Sequence, residues 1–155
     1  MSEAGPVELI RLADEENSVI VRVLGRLEPG NLTFHDYFRA EIVVDSGFAR
    51  GQLGTPLSRD DLDDWERTVD ALEAGQSVRW MEDGRNPEIQ VERTDEADYV
   101  EVVVIDPVMS MTSVRVAVCL PDGWLTDHRD RLQLVRRTWP SEVNKTSYGA
   151  LTWRT

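Results

Sequence analysis

Two hydrophobic periods alternate along this chain. Short apolar-rich runs at 7–12 and 18–27 predict a brief first strand and a longer second one rich in Val and Ile. The polar run Asp14-Glu15-Glu16-Asn17 separates them as a turn, and Glu28-Pro29-Gly30-Asn31 breaks the second. Residues 32–38 are aromatic with no regular period. Residues 40–46 read as a strand with one buried face. Gly47 and Gly51 bracket Phe48-Ala49-Arg50, which suggests a turn or bulge and a return strand to Leu53, stopped by Gly54-Thr55-Pro56.

The period then changes. Ser58 is a good N-cap, with Asp61 three residues on as a short-armed capping-box acid. Leu62, Trp65, Val69 and Leu72 form one apolar stripe on a helix of about four turns, which Gly75 ends. Four strands are predicted next, at 76–82, 88–93, 99–105 and 112–120. The loop Asp83-Gly84-Arg85-Asn86-Pro87 makes the first two a hairpin. A second helix is expected over 122–139, with Leu125, Leu132, Val135 and Trp139 as its stripe and Pro140 as its stop. Short turns between consecutive strands call for mostly antiparallel pairing, and two amphipathic helices need a sheet to cover. The expectation is one α+β domain over 1–140. It has about eight strands in a curved sheet or a two-sheet sandwich, one helix between strands and one C-terminal helix. The polar tail 141–155 is expected to be mobile or loosely docked.

Composition narrows the function classes. The 155 residues are enough for one domain with its own core. Lys and Arg total 17 against 29 Asp and Glu, a net charge of −12. That balance speaks against nucleic acid, whose phosphates are met by Lys and Arg. A single cysteine, Cys119, excludes an intrachain disulfide and any Cys-rich zinc site, and its alternating strand suggests a buried thiol. The first six residues show no secretory leader, and no apolar run approaches the roughly 20 residues that cross a bilayer. A cytoplasmic protein without membrane attachment is expected.

The candidate chemistry centres on Asp60, Asp61, Asp63 and Asp64, followed by Glu66, in the opening turns of the first helix. Acids there compensate the helix dipole. They also form a strip of negative charge that would attract a cationic partner and speed its encounter. As a metal site they would need oxygen ligands from elsewhere in the fold. His35, in Thr33-Phe34-His35-Asp36-Tyr37, reads as a loop residue, and His128 falls on the apolar stripe of the second helix. Neither is accompanied by a nucleophile, metal-ligand or phosphate-loop motif. Of the five tryptophans, Trp65, Trp80, Trp124 and Trp139 occupy core or core-edge positions. Trp153 in the tail could anchor a partner or a second copy of the chain.

Several strings carry a resemblance: Val7-Glu-Leu-Ile-Arg-Leu-Ala13, His35-Asp-Tyr37 leading to Ala40-Glu-Ile-Val-Val44, Ser46-Gly-Phe48, Leu62-Asp-Asp-Trp65, Arg79-Trp-Met81 and Val135-Arg-Arg-Thr-Trp-Pro140. Together they resemble an uncharacterised actinobacterial family of domains of unknown function. The layout is also similar to WapI-type immunity proteins: a strand, Gly47-Phe48-Ala49-Arg50-Gly51, a helix opening from Leu57 to Leu62, four strands and a terminal helix. That second resemblance implies an inhibitor of a protein toxin. The expectation is therefore a non-enzymatic, cofactor-free, cytoplasmic binding protein. It would meet a cationic protein through Asp60, Asp61, Asp63 and Asp64, with no nucleic acid, no membrane and a homodimer left open. Two rivals stand beside it. One is a small enzyme or small-molecule binder with a pocket between helices and sheet, using His128 or His35 as a general base. The other is a homo-oligomeric structural module that associates through the tail.

Overall fold

The computed structural model describes residues 4–94 and 99–155; the reading of the first six residues falls partly outside them. The fold is α+β and mostly antiparallel sheet. Strands β1 (Val7–Ala13), β2 (Ser18–Arg26), β3 (Phe38–Asp45) and β4 (Arg50–Leu57) form one four-stranded sheet in chain order. Helix α1 (Arg59–Glu73) follows. Strands β5 (Val78–Trp80), β6 (Glu88–Arg93), β7 (Val100–Ile105) and β8 (Ser113–Val118) form a second sheet, also in chain order. Helix α2 (Trp124–Thr138) precedes a short hairpin of β9 (Val143–Lys145) and β10 (Leu151–Trp153). Of the two sheet arrangements open from the sequence, two separate sheets are the one adopted. Both sheets and both helices contribute to one core cluster.

Local irregularities explain where simple alternation fails. The β1–β2 register shifts between Glu8 and Ile10, so Leu9 and Ile10 are both buried although adjacent; a bulge turns two successive side chains to one face. Strand β4 runs through Gly54 and Pro56 to Leu57 rather than stopping at Leu53. Pro56 is tolerated because β4 is an edge strand and its missing N–H costs no ladder bond. Cys119 is exposed, not buried. It follows Val118 on the outward phase of β8, and its backbone N–H donates to Asp14 Oδ2 at 2.8 Å. Asn17 Nδ2 donates to the Ala117 carbonyl at 2.7 Å, so the β1–β2 turn is tied to the end of β8 across the two sheets.

The helices are held by specific polar joints as well as packing. The imidazole of His128 is buried and bridges α2 to β1. Its Nε2 accepts the Arg11 N–H at 3.0 Å, so Nδ1 carries the proton and donates to the Trp124 carbonyl at 2.6 Å. Because β1 is an edge strand, this bond satisfies an amide that the sheet leaves unpaired. Burial pushes the His128 pKa down. Trp65 of α1 packs against Trp80 of β5, with ring centroids 5.3 Å apart.

The tail, expected to be mobile or loosely docked, folds back as a short hairpin docked through Asp36. Asp36 accepts from Ser141 Oγ at 2.9 Å and from the N–H groups of Glu142 and Val143 at 3.0 Å each. Glu142 also meets Arg26 Nη2 at 2.6 Å and His35 Nε2 at 2.9 Å. His35 Nδ1 accepts from Gly30 N–H at 2.9 Å, and Trp153 packs edge-on against the His35 ring at 4.7 Å. No helix among the described residues is long and apolar enough to cross a membrane.

Candidate functional site

The opening of α1 is built as its sequence dictates. Ser58 Oγ accepts from Asp61 N–H at 3.1 Å, and Asp61 Oδ2 accepts from Ser58 N–H at 2.8 Å, completing a reciprocal capping box. Trp80 Nε1 donates to the Asp61 carbonyl at 3.0 Å and fixes β5 against this turn. After Trp80 the backbone turns sharply: Met81 adopts φ 63°, a left-handed conformation that non-glycine residues occupy at a cost. The turn carries Glu82 and Asp83 back alongside the helix.

Between α1 and this turn lies a groove of about 510 Å³. Its charged lining is four carboxylates, Asp61, Asp64, Glu82 and Asp83, against two guanidinium groups, Arg67 and Arg79. The cations are engaged locally. Arg67 pairs with Asp64. Arg79 donates from Nε and Nη2 to the two oxygens of Glu88 at 3.0 and 3.2 Å and lies 3.3 Å from Glu82. Burial raises the Asp61 pKa against the opposing bonds from Ser58, and the neighbouring charges of Asp64 and Asp83 raise it further. Those repulsions place three aspartates in one another's field. Asp83 is held low instead, first by the Arg85 N–H and then by Asn86.

The four predicted aspartates therefore do not form one strip. Asp61 and Asp64 share the groove. Asp63 faces α2, where Arg136 Nη2 reaches it at 2.8 Å and the same guanidinium takes Glu66. Asp60 is exposed and lines a separate cavity with Arg59 and Tyr37. Further along α1, Asp70 and Glu73 bind Arg129 at 2.8 and 2.7 Å. The opposite charges of the two helices are thus joined within one molecule. Glu82 and Asp83 were missed from sequence. The Asp83-Gly84 turn signal marks a loop, but only the left-handed Met81 brings that loop to the helix.

Neither histidine lines the groove. Among the described residues no group of three or more His, Cys, Asp and Glu side chains is placed to hold a metal ion. What the groove can do is receive positive charge. A cation entering it would meet carboxylates from two elements with Trp80 and Met81 on its wall.

Comparison with known proteins matches one family model to residues 7–140, from the first residue of β1 to the proline after α2, so the groove lies inside the match and the hairpin outside it. No curated protein matches the chain.

Proposed function

The chain belongs to that family, a family of unknown function (DUF5959), and from this starting point we propose that it is a non-enzymatic protein-binding module of the actinobacterial cytoplasm, an immunity-like inhibitor of a cationic protein toxin. The observation that carries the reading is the groove between α1 and the β5–β6 turn, where Asp61, Asp64, Glu82 and Asp83 converge on one concavity. A basic side chain of the partner enters there, and the surrounding negative field speeds the encounter. Inhibition follows by occlusion of the partner's own working surface. The loose resemblance of the sequence layout to WapI-type immunity proteins and the net charge of −12 favour the same reading. The enzymatic alternative has no histidine beside the groove in its favour. For the tail-mediated alternative, Trp153 packs edge-on against His35 and remains half exposed.

The test takes a cationic protein that the purified chain captures from native lysate. The expected result is a complex whose association rate falls steeply with added salt, because exposed charges are screened. Asp64→Lys together with Glu82→Lys should slow association by about 10-fold or more, the range over which steering acts. Both side chains are more than half exposed, so the fold tolerates the change. An unchanged rate in the double variant would remove the groove from consideration.

A further inference from the structure

The cavity that Asp60 lines measures about 450 Å³ and lies between the start of α1, the β2–β3 loop and the C-terminal hairpin. The loop supplies Leu32 and Tyr37, the helix Arg59, and the hairpin Val143, Lys145 and Leu151. It shares no lining residue with the acidic groove, and its hairpin wall lies beyond the family match.

Arg59 is incompletely served in this cavity. Its guanidinium lies over the Phe38 ring, 4.7 Å from the centroid, and its side chain is three-quarters buried. Nε and Nη2 are sealed from solvent, yet neither has a hydrogen-bond partner among the described residues. Nη1 is the nitrogen left accessible. The carboxylate beside the group, Asp36, stays 3.6 Å from Nη2, too far for a hydrogen bond. Asp36 is engaged elsewhere, accepting from Arg26, from Ser141 and from the Glu142 and Val143 N–H groups. An N–H sealed from water without an acceptor carries its full desolvation penalty. Burial pulls the Arg59 pKa down against the opposing charge of Asp36, and Arg26 lowers it further. Lys145, on the hairpin wall, is exposed and has no ion pair among the described residues. Two cations from two elements thus line one cavity in which acceptors are missing.

The surroundings define the anion that would supply them. Asp36 and Asp60 also line the cavity, so one negative charge is accommodated at less repulsion than the double charge of a phosphate. A carboxylate matches the planar edge of a guanidinium. Leu32, Val143, Leu151 and the Tyr37 ring suit an apolar body behind it, and the volume is that of a small-molecule site. We propose that this cavity binds a small organic monocarboxylate, held by its charge between Arg59 and Lys145 and by its apolar body against the hairpin. Nη1 meets the carboxylate, and a small rotation of the side chain turns Nη2 toward its second oxygen. Because the hairpin supplies part of the wall, the bound acid also fastens the hairpin to α1. The site uses none of the groove's residues, so this proposal and the capture of a cationic protein can each fail alone.

Titration of the full chain with phenylacetate and with hexanoate, followed by backbone amide shifts, is the direct test. At least one acid should saturate with a Kd of about 1 mM or tighter, within reach of a ligand of about ten heavy atoms. The shifts should centre on Arg59, Lys145 and Gly149. The neutral amide of the same acid should bind at least about 10-fold more weakly, since it offers no charge to the guanidinium, and inorganic phosphate should not displace the acid. Lys145→Gln, at an exposed position, should weaken binding at least about 3-fold, and Asp60→Asn should strengthen it. Arg59→Gln should abolish binding; if that variant fails to fold, Lys145→Gln and Asp60→Asn still decide the matter. Saturating acid should also slow proteolysis after 140, because a ligand that binds the docked hairpin stabilises it. Absence of binding by both acids at about 10 mM, well above the expected Kd, overturns the proposal. So does an amide or phosphate that binds as tightly as the acid, or a Lys145→Gln chain of unchanged affinity.

Discussion

His128 shows how one side chain can hold a fold and report its pH. Its imidazole spans an edge-strand amide and a helix carbonyl, so the neutral ring fits both partners and the protonated ring fits one. Its pKa is depressed in the folded state, so the unfolded chain binds the proton more readily. The stability it contributes is complete above the unfolded value near 6.5 and is lost as pH falls below it toward the folded value. Urea titrations between pH 7 and 5 should show this decline, and His128→Leu should flatten it. His128→Ala, which empties a buried site and strands the Arg11 N–H, should cost about 2–4 kcal/mol in the same measurement at pH 7. Asp106 acts in a more acid window. Bonds from Ser110 first, then Met109 and Val108, hold its pKa down to about 2, so its contribution is present above 3.8 and fades as pH falls toward 2. Asp106→Ala should accelerate amide exchange at Met109 and Ser110 at neutral pH.

At the scale of elements, α1 depends on its cap and on its neighbour. Ser58→Ala removes the capping box and should lower stability by about 0.5–2 kcal/mol, measured by thermal unfolding; Ser58→Asp should recover most of it. The arginines of α2 do something different. Arg136 and Arg129 each gather two carboxylates of α1. Exposed pairs of this kind contribute about 0–1 kcal/mol, so Arg136→Ala should be mild in stability. It should nevertheless release Asp63 and Glu66 and raise the association rate with a cationic protein at low salt. An unchanged rate would mean that this face of α1 lies outside the partner's reach.

Across the whole molecule, the C-terminal hairpin is an added layer. The family match ends at 140, and the hairpin beyond it is fastened mainly through Asp36, itself paired with Arg26 at 3.1 Å. Asp36→Ala should leave the two sheets folded and free the tail, seen as faster proteolysis after 140 and a shift in Trp153 emission. Burial raises the Asp36 pKa, but bonds from Glu142, Ser141 and Val143 bring it below its ordinary value, so acid below about pH 4 should loosen the tail as well.

Most of the element order was legible in the residues themselves. Strand runs, the Ser58 cap, the Leu62–Trp65–Val69–Leu72 stripe and the Pro140 stop are local signals, and local chemistry acts wherever the rest of the chain lies. Positions set by distant partners were not legible. The tail docks where it does because Asp36, more than a hundred positions away, offers acceptors. The acidic strip divided for the same reason. Helix periodicity places Asp60, Asp61, Asp63 and Asp64 around a cylinder, but only the arrival of α2 on one side and the Met81 turn on the other decides which of them meet arginine and which meet solvent.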